Sequence, residues 1–496
     1  MCGKDSDFWC NNHILRSKNN KKGFYYAWHS LCTTSGVTKK IIVCMKRFFL
    51  LFGAFAVSLT ATAQNHRIQR YQHGAEPTVY IISVRETDTL RQVPAACSPQ
   101  QDMMLKNAVV QSVIEDHKQY TRKGVKQVST PSAIFADKRN TFSFAIGGDV
   151  ALRAAYSFDR TVNNIDMVPY DIPMVGTPAD RQELRFDATT SRVFLRGIAN
   201  TQKLGQVHIF FDIDFRGGAQ GSYTPRIRSG YVQMLGLTVG RDVSTFCDLT
   251  AAPTTIDFQG PNAYNFRFAT MIRYEYDFLD NHLKLGVAAE MPSVSGTYGE
   301  TLSAIPQRVP DFPLYFQYSW GKNRESHIRA SAVLRDMYLY NAARDSETDL
   351  LGWGVQFSGN IHITKYLQLF MNGIYGEGIS RYINDLMGTG LDFTPNPQDL
   401  GRVQTMPMYG WQAAAQVNIL SNLFVSGGYS AVTVCRKNGY LSPDQYKMGQ
   451  YIFGNVFWNL TPRFVLAAEY LYGSRKNMSG EKSHANRVNI LAKYSF

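Results

Sequence analysis

From Thr141 to the last residue the chain alternates between apolar and polar positions. Along 266–278, Phe266, Phe268, Thr270, Ile272, Tyr274, Tyr276 and Phe278 fall on one side. Arg267, Ala269, Met271, Arg273, Glu275 and Asp277 fall on the other. Successive side chains of a β-strand point to opposite faces, so this stretch predicts a strand with one apolar and one charged face. The same pattern sets Val207, Ile209, Phe211 and Ile213 against His208, Asp212 and Asp214, and Val488, Ile490, Ala492, Tyr494 and Phe496 against Arg487, Asn489 and Lys493. Sixteen such segments are legible, starting near 141, 185, 204, 225, 235, 264, 281, 313, 325, 350, 366, 408, 422, 448, 463 and 485. Many run close to the roughly 9–11 residues that a tilted strand needs to cross a bilayer.

The connections alternate in length. Long ones fall near 154–184, 216–224, 242–263, 292–312, 338–349, 380–407, 435–447 and 474–484. Short ones include Leu279-Asp280-Asn281, Thr364-Lys365 and Leu460-Thr461-Pro462. Short periplasmic turns and long external loops are the habit of outer-membrane barrels, whose bacterial single-chain forms have even strand numbers. A soluble all-β fold has no reason to keep that parity. The fold expected is all-β: a transmembrane antiparallel β-barrel of about sixteen strands over 140–496, behind a short N-terminal periplasmic segment. Lipid offers no partner for backbone N–H and C=O groups, so a spanning sheet must close on itself. Sixteen strands leave an aqueous lumen where eight would be filled by side chains. Trp320, Tyr366, Trp411, Trp458, Tyr470 and Tyr472 suit aromatic girdles at the interfaces. The closing Tyr494-Ser495-Phe496 puts an aromatic at the C-terminus, as bacterial outer-membrane proteins commonly do.

Ahead of the barrel the pattern changes. Met45, Lys46-Arg47, the apolar Phe48–Leu59 stretch and Ala61-Thr62-Ala63 have the order of a secretory signal peptide, expected over 45–63 and cut before Gln64. Residues 1–44, which hold four of the seven cysteines, are expected to be a spurious upstream extension. Residues 64–139 are expected to be periplasmic. Within them Leu105, Val109 and Val113 recur at i, i+4, i+8, predicting a short helix over 102–119. Such a helix is too short to be stable alone; it is either a trimerising stub or a linker.

Composition narrows the class. With 44% hydrophobic, 13% aromatic and 18% charged residues, the chain is too aromatic for disorder. No run of 18 apolar residues occurs, which excludes a polytopic helical membrane protein. The first 63 residues carry nine of the 52 basic and two of the 39 acidic residues, so their removal lowers the net charge from +13 to +6. Cys97, Cys247 and Cys435 then remain, far apart and odd in number, which argues against a disulfide framework or a zinc site. No phosphate-cradling loop, H-E-x-x-H or nucleophile elbow is present, and neither a catalyst, a metal nor another cofactor is expected.

Projecting the alternation inward gives thirteen basic positions: Arg153, Arg192, Arg196, Arg226, Arg228, Arg241, Arg267, Arg273, Lys284, Arg329, Arg335, Arg487 and Lys493. Seven acidic ones oppose them: Asp149, Asp212, Asp214, Glu275, Asp277, Glu290 and Glu469. An excess of one sign focuses the field in a narrow low-dielectric channel, so small anions are the expected solutes. The competing expectation is that the charges pair along the wall. The expected solute path uses Arg196, Arg228, Arg241, Arg267, Arg273, Lys284, Arg329 and Arg335.

The third long connection can fold inward and narrow the channel. It contains Gly240, Ser244-Thr245-Phe246, Asp248, Pro253, Ile256-Asp257-Phe258 and Gly260-Pro261, and the Arg-bearing strand follows. On these residues, and more loosely over 140–496, the chain resembles the DcaP-like trimeric outer-membrane porins; the phosphate-selective porins are near neighbours. Arg241 and Val243 depart from the Gln and Trp usual in that family. The resemblance implies homotrimers that pass small anions such as dicarboxylates across the bacterial outer membrane, with lipid as the other partner and no nucleic acid. Constriction-loop candidates are Asp242, Thr245, Phe246, Asp248, Pro253, Asp257 and Phe258. The alternative is a barrel enzyme or adhesin working through its external loops, 380–407 above all. The signal reading predicts that mass spectrometry of the exported protein will find Gln64 as the first residue; a peptide from 1–44 would contradict it.

Overall fold

The structure, a computed structural model, describes residues 79–83, 111–114, 116–117, 133–137 and 140–496, apart from 161, 163, 322–323, 397 and 438–441. The proposed signal 45–63 and the upstream stretch 1–44 lie outside the described residues. Sixteen strands form the wall. They are β1 (Phe142–Asp159), β2 (Arg192–Thr201), β3 (Gly205–Asp214), β4 (Arg226–Met234), β5 (Leu237–Val243), β6 (Phe268–Phe278), β7 (Leu283–Glu290) and β8 (Phe312–Trp320). Then come β9 (Ser326–Asn341), β10 (Ser346–His362), β11 (Leu367–Glu377), β12 (Pro407–Leu420), β13 (Leu423–Val434), β14 (Tyr446–Thr461), β15 (Phe464–Asn477) and β16 (Lys482–Ser495).

Each strand pairs antiparallel with the next, and β16 returns to β1 in a register from Asn486↔Asp159 to Ser495↔Asp149. The cylinder is therefore closed. At the seam Phe496 and Gly148 exchange both backbone hydrogen bonds, each 2.9 Å. Any side chain at Gly148 would meet the Arg192 carbonyl at 2.3 Å and the Phe496 ring at 2.8 Å, so the seam needs a glycine there. Below the end of β16 the free edge of β1 is taken by strand Ala133–Asp137, itself paired with Val79–Ser83.

The alternation separates the two faces as expected. On β10, Leu351, Val355 and Phe357 point outward and are 46–65% exposed, while Gln356 and Ser358 point inward and are buried. Tyr366, Trp411, Trp458 and Tyr470 of the expected girdles are exposed on the outside. All connections at the lower end, where the chain finishes, are short. The β4–β5 turn is only Leu235-Gly236, both at positive φ, the geometry of a two-residue hairpin. A Cβ on Gly236 would strike the Glu275 carbonyl at 2.3 Å.

Two long upper connections are shorter than expected. Those near 338–349 and 474–484 reduce to 342–345 and 478–481, because pairing continues up to Asn341↔Ser346 and Lys476↔Lys482. Wall height is uneven: β9 and β10 have 16 and 17 residues, β4 and β5 only 9 and 7.

The largest buried apolar cluster lies inside the cylinder. Phe246, Cys247 and Ala263 from connection 244–267 and Tyr382, Ile383, Leu386 and Leu391 from connection 378–406 pack on inward-facing Met408, Val432 and Val434. A second cluster seats Val162, Met167, Val168 and Ile172 of connection 160–191 on Tyr451, Phe453 and Leu471. Three upper loops thus turn into the barrel, adding packed layers that strand alternation does not encode.

Candidate functional site

A loop inside a barrel must find partners for its own backbone. For 244–267 the inward side chains of the wall supply them in sequence. Glu290 of β7 accepts from Ser244 Oγ and Thr245 N, both at 2.7 Å. Arg329 of β9 donates to the Cys247 carbonyl at 2.9 Å. Asp248 accepts from Ser358 of β10 at 2.7 Å and bonds His327 of β9 at 2.8 Å. Gln412 of β12 reaches the Ala251 carbonyl, and Ser426 of β13 and Asn455 of β14 reach that of Thr254. Glu469 of β15 accepts from Ile256 N and Asp257 N at 2.9 and 2.8 Å. On the way back, Ser430 accepts from Ala263 N and Asn372 donates to the Ala263 carbonyl. The loop therefore follows the inner wall from β7 to β15 and returns. Glu290 and Glu469 each accept two of these bonds, so the loop is anchored at both ends of its run.

The other two loops lock onto this one. Asp257 accepts from Met167 N at 3.2 Å and from Tyr451 Oη at 2.9 Å. Asn384 N and Asp385 N donate to the carbonyls of Tyr264 and Asn262, both at 3.0 Å. The Asp385 carboxylate accepts from Tyr170 N and from Tyr446 Oη. Asp385 thus ties 160–191, 244–267 and 378–406 to β14. Burial pushes its carboxyl up to about 6, against the opposing pull of these bonds. Asp248 behaves oppositely: burial works to raise it, but Arg329 and His327 outweigh burial and hold it well below the usual carboxylate range.

The expected solute-path residues take different positions. Arg228 is buried between Asp212 (3.4 Å) and Asp214 (3.5 Å), with the Phe258 and Phe268 rings 5.3 and 5.4 Å from its guanidinium. Arg273 pairs with Asp242 at 2.9 Å and Glu275 at 3.4 Å. Lys284 pairs with Asp277 at 3.3 Å. Arg335 lies between Asp311 (3.3 Å) and Asp392 (3.2 Å), fully buried. Arg329 holds Gln317 through two nitrogens and stacks 4.1 Å over the Tyr315 ring. Arg196 is buried and donates to the His117 carbonyl at 3.1 Å. Pairing along the wall is thus extensive.

Arg241 requires a correction. It pairs across the sheet with Gly230 and Thr270, next in line with the outward Val239 and Ile272. Alternation from Leu237 and Val239 carries it to the outer face, where its Nε donates to the Ile227 carbonyl. It does not face the lumen.

Of the loop candidates, Asp242 accepts from Ser229 Oγ and Arg273. Thr245 Oγ1 contacts the Met271 sulfur, Phe246 lies edge-on to Tyr382 at 5.2 Å, and Pro253 is buried. Phe258 lies under Arg216 and Arg228.

Arg381 joins these residues although the strand alternation does not point to it. It comes from loop 378–406, bonds Asp311 at 2.9 Å, and exerts the largest influence of any neighbouring charge on Arg267. The signal was present: Tyr382, Ile383 and Leu386 are too apolar for an external loop of ordinary exposure.

A family model described as DcaP outer membrane protein matches residues 101–496. Among solved structures, the outer membrane channel DcaP of Acinetobacter baumannii is similar with a TM-score of 0.62 and 21% identity, covering 72% of this chain and 97% of that one. An anion-selective porin from Comamonas acidovorans is similar with a TM-score of 0.47 and 12% identity, covering 72% and 100%. OmpF of Salmonella typhi is similar with a TM-score of 0.48 and 11% identity, covering 72% and 99%. No curated protein matches the chain.

Neutralising Asp385 generates a pH signature. Its raised value means that the protonated form suits the folded lock, so its favourable contribution is full below about pH 4, its unfolded value, and is lost as pH rises through about 6. The thermal midpoint of Asp385→Asn should therefore gain on the parent between those limits and level off above them. A difference that stays flat with pH would contradict this.

Proposed function

The chain belongs to the DcaP outer membrane protein family, and on that footing we propose that it passes small anionic solutes passively past a basic constriction bordered by loop 244–267. Family membership makes it a channel of the bacterial outer membrane rather than an enzyme. The lower end of the barrel is then periplasmic and the upper end external.

The observation that carries the anion preference is the setting of Arg267, at the return of the constriction loop. Among the described residues no carboxylate forms an ion pair with it, and its Nε is buried without a hydrogen-bond partner. Burial and then the neighbouring Arg381 push its guanidinium down to about 10, which still leaves it charged at neutral pH. A cation so placed is satisfied best by a visiting anion. The planar fork of arginine matches carboxylate and phosphate oxygens two at a time. In a low-dielectric passage such a charge enriches its counter-ions. Arg329 borders the same loop, while Arg228, Arg273, Lys284 and Arg335 contribute mainly by holding the wall and loops in shape. No reaction is catalysed; selectivity is electrostatic attraction combined with a size limit.

We take the working unit to be a homotrimer in outer-membrane lipid. Support comes from the low wall of β4 and β5, whose outer face carries exposed Ile227, Val232 and Val239. Barrels meeting there would bring Arg241 to the contact.

Reversal potentials across a planar bilayer in a salt gradient test the proposal. The parent should prefer chloride over potassium. Arg267→Glu should lower that permeability ratio by roughly tenfold, as a change of several kT in local potential implies. A reversal potential unmoved by Arg267→Glu would refute the assignment.

A further inference from the structure

The inner wall near the periplasmic mouth is covered by a segment that precedes the barrel. Ala145 of β1 and Arg196 of β2 are register partners and so point to the same side. Ile134 and Ala136 face Ala145 and Ser143 across the next pairing and share that side. Asp212, which pairs with Arg192 in the same phase as His208 and Gln206, identifies that side as the lumen. Helical residues 111–114 and 116–117 lie against it.

The seat is specific. Val113 and Ile114 are buried against Ile134, Ala136 and Ala145. His117 Nε2 bonds Ser143 Oγ at 3.1 Å, and Arg196 donates to the His117 carbonyl at 3.1 Å. Asn140 donates to Ser112 and Asp116 at 3.3 Å each, and Gln206 of β3 donates to Asp116 at 3.1 Å.

Among the described residues the apolar part of this seat is Val113 and Ile114 alone, beside a wall that is hydrogen-bonded from strand to strand around its circumference. Local openings are drawn from such low-stability contacts, whereas the wall opens only with the whole fold. We infer that residues 111–114 and 116–117 form an inward-seated strap that covers β1–β3 at the periplasmic mouth, narrowing the exit and masking Arg196 while it is docked. Release widens the exit and adds Arg196 and His208 to the path. The inference rests on the channel function but not on the anion preference, and its main readout is independent of selectivity.

The test uses the full exported chain carrying Ala145→Cys, with Cys97 and Cys435 changed to Ser; Cys247 stays, being buried. A charged methanethiosulfonate reagent should label residue 145 slowly. Adding Ile114→Asp, which buries an unpaired charge on docking, should speed labelling by at least about tenfold, a shift of about 1.4 kcal/mol. Ile114→Asp alone should also raise single-channel conductance. Heat-modifiable migration on gels checks assembly, and Val113→Ser replaces the variant should it fail to assemble. Equal labelling rates would overturn the docked strap. Faster labelling without a rise in conductance would overturn its narrowing of the exit.

Discussion

Everything in this molecule depends on the rule that a peptide group in hydrocarbon must be hydrogen-bonded. The rule closes β16 onto β1, places the Phe496–Gly148 exchange at the seam, and fills the remaining edge of β1 with Ala133–Asp137. Closure divides the side chains into two populations with different solvents. Outward residues such as Leu351, Val355 and Phe357 meet lipid, and their partners along the strand meet whatever fills the interior.

The same rule operates a second time inside. Loops 160–191, 244–267 and 378–406 bring unpaired backbone into the cylinder, and the polar inner face satisfies it. Glu290 and Glu469 accept from backbone N–H groups, and Arg329, Asn372, Gln412 and Asn455 donate to carbonyls. A polar inner wall is therefore first a scaffold for loops. Buried pairs such as Arg335 with Asp311 and Asp392 fix geometry; removing one partner would leave an uncompensated charge. Arg267, which makes no such pair among the described residues, is the residue we propose for contact with solute.

The wall was legible because a closed membrane sheet forces a strict period of two, and all sixteen strands were visible on that basis. Strand ends were less so: β9, β10, β15 and β16 continue pairing above the apolar band, where no lipid enforces the alternation. Loop 244–267 could be located from its motif, but its bonding path could not, since Glu469 and Ile256 are 213 residues apart. Arg241 carries a charge on the outward phase it shares with Leu237 and Val239, so charge and phase point to opposite faces and phase prevails. Arg381 is not visible in the alternation because it lies in the long connection 380–407, whose length alone marks it as external despite Tyr382, Ile383 and Leu386. Helical residues 111–114 and 116–117 are legible in the apolar spacing, yet nothing local tells a helix which surface it will sit on.

The separation of two solvents by one closed sheet is most directly measured by nitroxide scanning along β10. Labels introduced singly at 351 through 358 in bilayer-embedded protein would be relaxed by dissolved oxygen and by a water-soluble nickel chelate. Oxygen accessibility should peak at 351, 353, 355 and 357 and fall at the positions between them. A profile without that period of two, or one with its phase inverted, would contradict it.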